Sequence, residues 1–490
     1  MSNINYLHNL NAIVKHEAFP YQKEAFEAIK DLPYSAIFHE QGLGKTKIAI
    51  DLMLYWLQKK DIDSVFVVTK KQLVNNWVNE FGEHTHLKPK VLSTDKKDNF
   101  YALNSMARIL VTNFETISSE KERIKLYLKT RNVAIVIDES TKIKNPDSKL
   151  TKDFFEISPL FKIKTIMTGT PVANRPFDIW AQVYFLDLGD SLGTDFARFK
   201  SQTNLTNDLS VNEYKRSVFE DSVSGIFEKI KSFTVRETKN SGIITLPRKK
   251  YHYIYSLFET NQKYMYDKIK DDLCILVQKG DESILDETDE TLKRLLRLVQ
   301  VASNPRLVDD LYGYHSGKEI TLDKLIKEIM NRDEKVIIWS SFIENIDFFC
   351  EKYSQYNPVK IHGKMNIESR NKSVKLFKTN STCKILFATP QSAKEGLTLT
   401  VANNVVFYDR GFNLDDYLQA QDRIHRISQT KECNIYNILM EDSVDIWIDK
   451  LLQAKQNAAF LAQGDYELLE YEEEADYTFG DMIKEILNFK

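Results

Sequence analysis

Residues His39-Glu40-Gln41-Gly42-Leu43-Gly44-Lys45-Thr46 stand between a short apolar run and a helical pattern. In that setting Gly42 and Gly44, with Leu43 between them, let backbone N–H groups approach phosphate oxygens. Lys45 reaches the β- and γ-phosphates, and Thr46 offers a hydroxyl to Mg²⁺. Later the apolar run Ile135-Val136-Ile137 ends in Asp138-Glu139. Asp138 would supply a second Mg²⁺ contact, and Glu139 a group that orients or deprotonates water. The two halves together predict an ATPase that uses ATP and Mg²⁺. Each half has a plainer reading: a Gly-rich turn before a helix, and a strand end with two solvated carboxylates. The loop is also the short form, since the first glycine of G-x-x-x-x-G-K-[ST] would fall at His39. Order along the chain and strand-loop context favour the functional reading.

A third group lies far downstream in Gln419-Ala420-Gln421-Asp422-Arg423-Ile424-His425-Arg426. If this segment opens a helix, Arg423 and Arg426 share one face. Two guanidiniums aimed at a γ-phosphate stabilise transition-state charge. In isolation the segment reads as a charged surface helix.

These groups need elements to hold them. Residues 34–187 alternate β-rich runs with helical patterns, the runs being Ser35–Phe38, Ser64–Thr69, Ile109–Thr112, Ala134–Ile137 and Thr165–Met167. A helix is expected around Lys47–Leu57. A second stretch repeats the alternation at Val336–Trp339, Val359–Ile361, Ile385–Ala388, Val405–Tyr408 and Cys433–Ile438. Such alternation implies α/β architecture with parallel sheets and flanking helices. Residues 188–245 lose the strand rhythm and read as helical or irregular. Residues 257–330 and 444–461 read as helical. The expected division is 1–187 (first lobe), 188–250 (helical protrusion), 251–330 (helical linker or protrusion), 331–443 (second lobe) and 444–490 (helix and acidic tail). Two such lobes suggest a nucleotide cleft between them.

The 490 residues suggest roughly three domains of ~150 residues. No apolar run reaches transmembrane length, and Met1 to Tyr6 show no charged n-region followed by an apolar h-region, so no secretion signal is expected. No membrane association is therefore expected. Four separated cysteines with no C-x-x-C fit a reducing compartment, cytoplasmic or, in a eukaryote, nuclear. Net charge is −3, so nucleic-acid binding would need a local basic surface. Lysines between Lys142 and Lys164 and the Arg248-Lys249-Lys250 run are candidates, with a solvated face as the plain alternative. Residues 465–476 hold seven acids and no base. They read either as a solvated tail or as a phosphate mimic near a DNA path.

At this point the chain resembles the Swi/Snf-related branch of the superfamily-2 helicase-type ATPases, the DNA translocases, from about Phe19 to Trp447. Phe19-Pro20-Tyr21-Gln22 resembles the adenine-recognition segment, with Gln22 reading the base. Val67 to Glu80 and Leu110 to Thr116 resemble the Ia and Ib regions. Asp138-Glu139-Ser140-Thr141-Lys142-Ile143-Lys144-Asn145 resembles motif II, with Thr141 where the family has His. Thr168-Gly169-Thr170-Pro171 resembles motif III. Arg236-Glu237-Thr238-Lys239 with Leu246-Pro247 resembles a segment particular to the branch. Ile338 to Phe342 resembles motif IV. Ser392 to Leu399 resembles a motif V that keeps only Gly396 of its paired glycines, and Ser428 stands for a usual Gly in motif VI.

The resemblance implies two RecA-like parallel-sheet lobes with helical insertions and an ATP site in the inter-lobe cleft. Gln22, Gly42–Thr46 and Gly396 would bind nucleotide, and Lys45, Asp138, Glu139, Gln419, Arg423 and Arg426 would serve hydrolysis. Thr69, Lys70, Thr112, Asn113, Ser340 and Thr389 are candidate DNA-backbone contacts. The implied activity is ATP-driven tracking on double-stranded DNA by a compact monomeric motor, bacterial or viral in type, with any protein partner unknown. A strand-separating DNA or RNA helicase is the alternative. A non-catalytic ATP-gated clamp is disfavoured by the complete set of hydrolytic residues.

Overall fold

The computed structural model describes residues 14–172, 174–205, 212–239, 241, 246–279, 289–395, 397–426 and 428–465. They divide into two compact units. The first takes the described residues of Met1–Asn204, Phe219–Ile244 and Leu461–Tyr466, and the second those of Leu205–Val218 and Thr245–Phe460.

In the first unit, β1 (Tyr34–Ile37), β2 (Ser64–Thr69), β3 (Lys90–Val91), β4 (Ile109–Asn113), β5 (Val133–Asp138), β6 (Ile163–Met167) and β7 (Thr234–Val235) form one sheet in the order β3-β4-β2-β5-β6-β1-β7. Every pair is parallel. A parallel sheet is covered on both faces, so its strands are apolar throughout rather than alternating. Residues Val133 to Ile137 are wholly buried, and only Asp138 at the strand end meets solvent. One face packs on the helix Lys45–Lys59 through Ile48, Leu52, Met53 and Trp56. The helix begins two residues earlier than the apolar spacing suggested, because Gly44 caps it in the left-handed region.

In the second unit, β8 (Lys249–Ser256), β9 (Val336–Trp339), β10 (Val359–Ile361), β11 (Ile385–Ala388), β12 (Asn404–Phe407) and β13 (Cys433–Met440) form another parallel sheet, ordered β10-β11-β9-β12-β13-β8. Its faces feed separate cores. Ile337, Trp339, Val405 and Phe407 pack on one side, and Val336, Ile338, Val406 and Tyr408 on the other.

The ten strands expected from sequence all appear, four with the expected ends and the others with ends shifted by one or two residues. Three more do not match expectation. β3 and β7 are two-residue strands, too short to show a period. β8 crosses the boundary expected at residue 250 and pairs with β13 along its whole length, from Cys433↔Lys249 to Met440↔Ser256. Its tyrosines at 251, 253 and 255 carry the period of two, but they line an exposed side of an edge strand and so lacked an apolar signature. Helices Phe196–Thr203, Glu213–Ile230, Thr260–Lys279, Asp289–Ser303, Gly317–Asn331 and Val444–Gln463 fill the stretches read as helical. Among the described residues no helix is long and apolar enough to cross a membrane.

Lys318 is fully buried in the second unit, paired with Asp445 and donating to the Tyr408 carbonyl at 3.1 Å. Removing one partner of such a pair strands the other charge in an apolar surrounding. Asp445→Ala should therefore destabilise this unit by about 3–5 kcal/mol in chemical denaturation, and Lys318→Met/Asp445→Leu by much less. Equal losses in the single and double variants would contradict this.

Candidate functional site

The phosphate-loop residues lie at the C-terminal edge of the first sheet, where parallel α/β sheets hold their ligands. β1 ends at Ile37, the chain turns through His39 to Gly44, and the long helix starts at Lys45. Gly42 and Gly44 have φ of 88° and 69°, a region open to glycine and strained for other residues. At Gly44 a Cβ would also stand 2.2 Å from Gln22 Nε2 and displace that amide from its place against the loop. Gln22 Nε2 and the Tyr21 hydroxyl both donate to the Leu43 carbonyl, at 3.3 and 3.1 Å, and Gln22 Oε1 accepts from the Phe19 amide at 3.0 Å. The Phe19–Gln22 segment thus braces the loop directly.

Lys45 Nζ donates to the carbonyls of His39 (2.9 Å) and Glu40 (3.3 Å). Burial pulls its ammonium down to about 8, partly opposed by the charges of Glu139 and Asp138. His39 is buried and pushed down to about 4 by desolvation and by Lys45, so its ring is neutral at neutral pH. Gly169 reaches the loop from the end of β6. A Cβ there would lie 2.5 Å from Gln41 Cγ and 3.3 Å from Lys45 Nζ. That close approach gives a physical reason for glycine at the centre of Thr168-Gly169-Thr170.

Asp138 closes β5. Its Oδ2 accepts from Trp77 Nε1 at 2.8 Å and from the Thr69 hydroxyl at 3.1 Å. Burial raises its carboxyl above the ordinary range, and the Glu139 charge adds to this. Glu139 sits at φ 58°, a left-handed conformation unfavourable for a residue with a Cβ. Its carboxylate stands 3.4 Å from Lys70 Nζ. Lys45, Asp138 and Glu139 therefore form one electrostatic cluster. The loop's glycine cradle suits phosphate, and the Thr46 hydroxyl with the Asp138 carboxylate is an oxygen set of the kind a hard divalent cation takes.

The family model described as SNF2-related domain matches residues 32–307, more than half of the chain, and the helicase conserved C-terminal domain matches residues 318–428. The chain belongs to the SNF2-related family of superfamily-2 helicase-like ATPases. Among its relatives, an uncharacterized ATP-dependent helicase of Mycoplasma genitalium is 28% identical over 447 residues, 89% of this chain and 41% of that protein. The human SWI/SNF-related matrix-associated actin-dependent regulator of chromatin subfamily A member 1 is 27% identical over 83% of this chain and 39% of its own length. The ISWI chromatin-remodeling complex ATPase ISW1 of Saccharomyces cerevisiae is 26% identical over 90% and 40%. The chain thus spans about two fifths of these relatives. A solved Sulfolobus solfataricus SWI2/SNF2 ATPase core in complex with dsDNA aligns with 95% of this chain and 97% of that chain, at 23% identity and TM-score 0.42.

In the second unit of this SNF2-related chain, Gln419 lies on the helix Leu414–Gln421 and donates to Asp415 at 2.7 Å. The condition for a shared helical face is not met: the helix ends at Gln421, and Arg423 and Arg426 follow it in a turn and a bend. Interlocking with the preceding motif, rather than helical spacing, places the two arginines. Arg423 Nη1 donates to the Leu397 carbonyl at 3.3 Å, and the Leu399 amide donates back to the Arg423 carbonyl at 2.9 Å. Arg426 Nη1 donates to the Thr398 hydroxyl at 2.8 Å, and burial lowers its guanidinium's pKa. Ser428 meets Thr400 at 2.8 Å, a contact that a glycine could not make. Gly396 lies outside the described residues.

The candidate DNA contacts all sit at C-terminal strand ends, yet most of their side chains have structural partners. Thr69 holds Asp138, Thr112 donates to the Leu92 carbonyl at 3.3 Å, and Asn113 caps the helix Phe114–Ser119. Ser340 donates to Asp409 at 2.6 Å, and the Thr389 carbonyl accepts from Ser392. Lys70 faces Glu139. Sequence reasoning missed Trp77 as an Asp138 ligand. Trp77 entered there only within the Val67 to Glu80 segment that resembles the Ia region, and its spacing from Val74 and Phe81 on the helix Val74–His84 is that of a buried face.

A lysine that titrates near 8 loses the charge that attracts phosphate above that pH. Affinity of the DNA-free protein for a fluorescent ATP analogue should fall as pH rises through about 8, by up to ~10-fold per unit, as set by one proton. Lys45→Ala should bind weakly and show no such inflection. A flat wild-type profile from pH 7 to 9.5 would exclude this environment for Lys45.

Proposed function

We propose that this chain hydrolyses ATP to drive movement along double-stranded DNA. The observation that carries the ATPase reading is the cluster of Lys45, Asp138 and Glu139 beside a loop whose glycines at 42 and 44 hold positive φ. Lys45 holds the β- and γ-phosphates. Thr46 and Asp138 hold Mg²⁺, which supplies charge neutralisation at the phosphates when bound. Trp77 and Thr69 fix the Asp138 carboxylate through Oδ2. Glu139, turned by its left-handed backbone, orients the attacking water and accepts its proton. Gln22 joins adenine recognition to the phosphate loop through Leu43.

Duplex tracking rests on membership of the SNF2-related family and on the Arg236–Lys239 segment, with chromatin-remodelling ATPases among the relatives. Strand separation is the second reading, favoured by the helicase name of the Mycoplasma relative. The strand ends carrying Thr69, Lys70, Thr112, Asn113, Ser340 and Thr389 are assigned to the DNA backbone as sequence-independent contacts, made through backbone groups where the side chains already have partners. Such contacts make binding salt-sensitive.

ATPase activity should rise with duplex DNA and decline as salt increases. The protein should displace the third strand of a triplex and leave a tailed duplex paired. Glu139→Gln should keep nucleotide affinity while kcat falls about 10²–10⁴-fold, the usual worth of a positioned base. Efficient unwinding of the tailed duplex would favour the helicase reading, and near-normal turnover in Glu139→Gln would remove the assigned base.

Arg423 and Arg426 are assigned to turnover. Arg423→Ala and Arg426→Ala should each lower kcat by about 10³-fold, with nucleotide affinity of the DNA-free protein little changed. Collapse of that affinity in either variant would make them binding residues instead.

A further inference from the structure

The segment after β7 wraps the phosphate loop in a way the ATPase reading has not used. β7 pairs with β1 in the register Ala36↔Thr234 and Ile37↔Val235, and the Phe38 amide donates to the Val235 carbonyl at 2.9 Å. Beyond the strand, the Glu40 amide donates to the Glu237 carbonyl at 2.8 Å. The Lys239 amide donates to Glu40 Oε2 at 2.8 Å, and its buried ammonium stands 3.5 Å from Glu40 Oε1. The loop is thus gripped at Phe38 and at Glu40, on either side of His39.

Arg236 joins this grip to a distant part of the chain. Its Nη1 donates to the Phe38 carbonyl at 2.8 Å, where the strand gives way to the loop. Its Nε and Nη2 fork onto the carboxylate of Asp465, with Nε to Oδ1 at 2.8 Å. Arg236 and Asp465 side chains are only 10% and 8% exposed. Asp465 is itself aimed: Gly464 has φ +75°, and a Cβ there would come within 2.7 Å of the Phe227 ring. Leu461–Asp465 therefore docks closely on the first unit. Of the acids in the acidic segment, Asp465 is the one described. It meets this arginine rather than the lysines suggested as a DNA path.

We propose that Arg236 is a positioning residue for the phosphate loop and that Asp465 sets its position, so that docking of the segment 461–465 strengthens nucleotide binding. A bidentate guanidinium–carboxylate pair fixes the plane of the fork, leaving Nη1 pointed at Phe38. Without the carboxylate, a buried guanidinium has lost its counter-charge and is drawn toward water, releasing the Phe38 carbonyl. The loop residues between Phe38 and Lys45 then gain freedom, and phosphate binding must freeze it out again. The effect falls on binding rather than on the chemical step, because neither residue reaches Asp138 or Glu139.

This inference rests on the nucleotide-site reading above, and its test separates the two. The affinity of the full chain for a fluorescent ATP analogue, and kcat for ATP, are measured for wild type, Asp465→Asn, Asp465→Glu and Arg236→Lys. Arg236→Lys keeps the charge for Asp465 but loses the fork. Asp465→Asn and Arg236→Lys should each weaken binding about fivefold or more, the usual scale of coupling between linked sites, with kcat within about twofold. Asp465→Glu should restore most of the affinity, and the double variant Arg236→Lys/Asp465→Asn should lose little more than either single change. A role confined to gluing the segment in place would lower the unfolding temperature and leave affinity untouched. Wild-type affinity in Arg236→Lys, or in a folded Asp465→Asn, overturns the inference while the proposed function stands. Absence of nucleotide binding by the wild type overturns both.

Discussion

Lys45 and Asp138 are opposite charges held at the edge of a sheet whose strands are apolar along their whole length. Neither can leave water cheaply alone, and the site is built around that constraint. Burial lowers the lysine and raises the carboxylate, so each group would drift toward its neutral form. Their mutual attraction, the Trp77 and Thr69 donors and the loop carbonyls offset the drift. The result is a pair of buried charges held by one another and by neutral dipoles. Under the proposed function, a phosphate chain with its metal answers both sides at once.

The rest of the first unit follows from keeping that edge in register. The glycines at 42, 44 and 169 are there because backbone and neighbouring side chains crowd the space where a Cβ would stand or because φ is positive. Gln22 and Tyr21 hold Leu43, while Arg236 and Glu237 hold Phe38 and Glu40. The second unit meets a similar demand around Asp409. This buried carboxylate accepts from Ser303, Ser340, Asn345 and the Ser341 amide, and so ties together the ends of a helix and a strand. In that unit the arginines of the late motif are fixed by the Leu397–Thr400 segment, each motif supplying the other's partners.

Strands were legible wherever burial on both faces forced a continuous apolar run, as in Val133 to Ile137 and Ile385 to Ala388. β8 was not, because an edge strand with one exposed side can carry tyrosines and lysines and still pair along its length. The residues assigned to hydrolysis stood out in sequence because Gly-x-Gly-Lys-Thr and Asp-Glu are local patterns of residue type. Their supports did not. Trp77 is 61 positions from Asp138, and Asp465 is 229 from Arg236, separations at which no local pattern links one residue to the other. The candidate DNA contacts show the reverse. They sit at strand ends, and the partners that occupy Thr69, Thr112 and Ser340 only emerge in three dimensions.

The sequence by itself determined the α/β alternation, and it singled out the candidate phosphate loop and the acids and arginines assigned to hydrolysis. These depend on hydrophobic period and on residue chemistry, both carried along a few neighbouring positions. Tertiary structure alone decided how those groups are held: the left-handed turn at Glu139, the close approach of Gly169 to Lys45, the departure of Arg423 and Arg426 from their helix, and the grip of Arg236 and Asp465 on the loop. Each depends on burial bringing distant segments into contact, where a charge or backbone group shut away from water must find a partner wherever the fold supplies one.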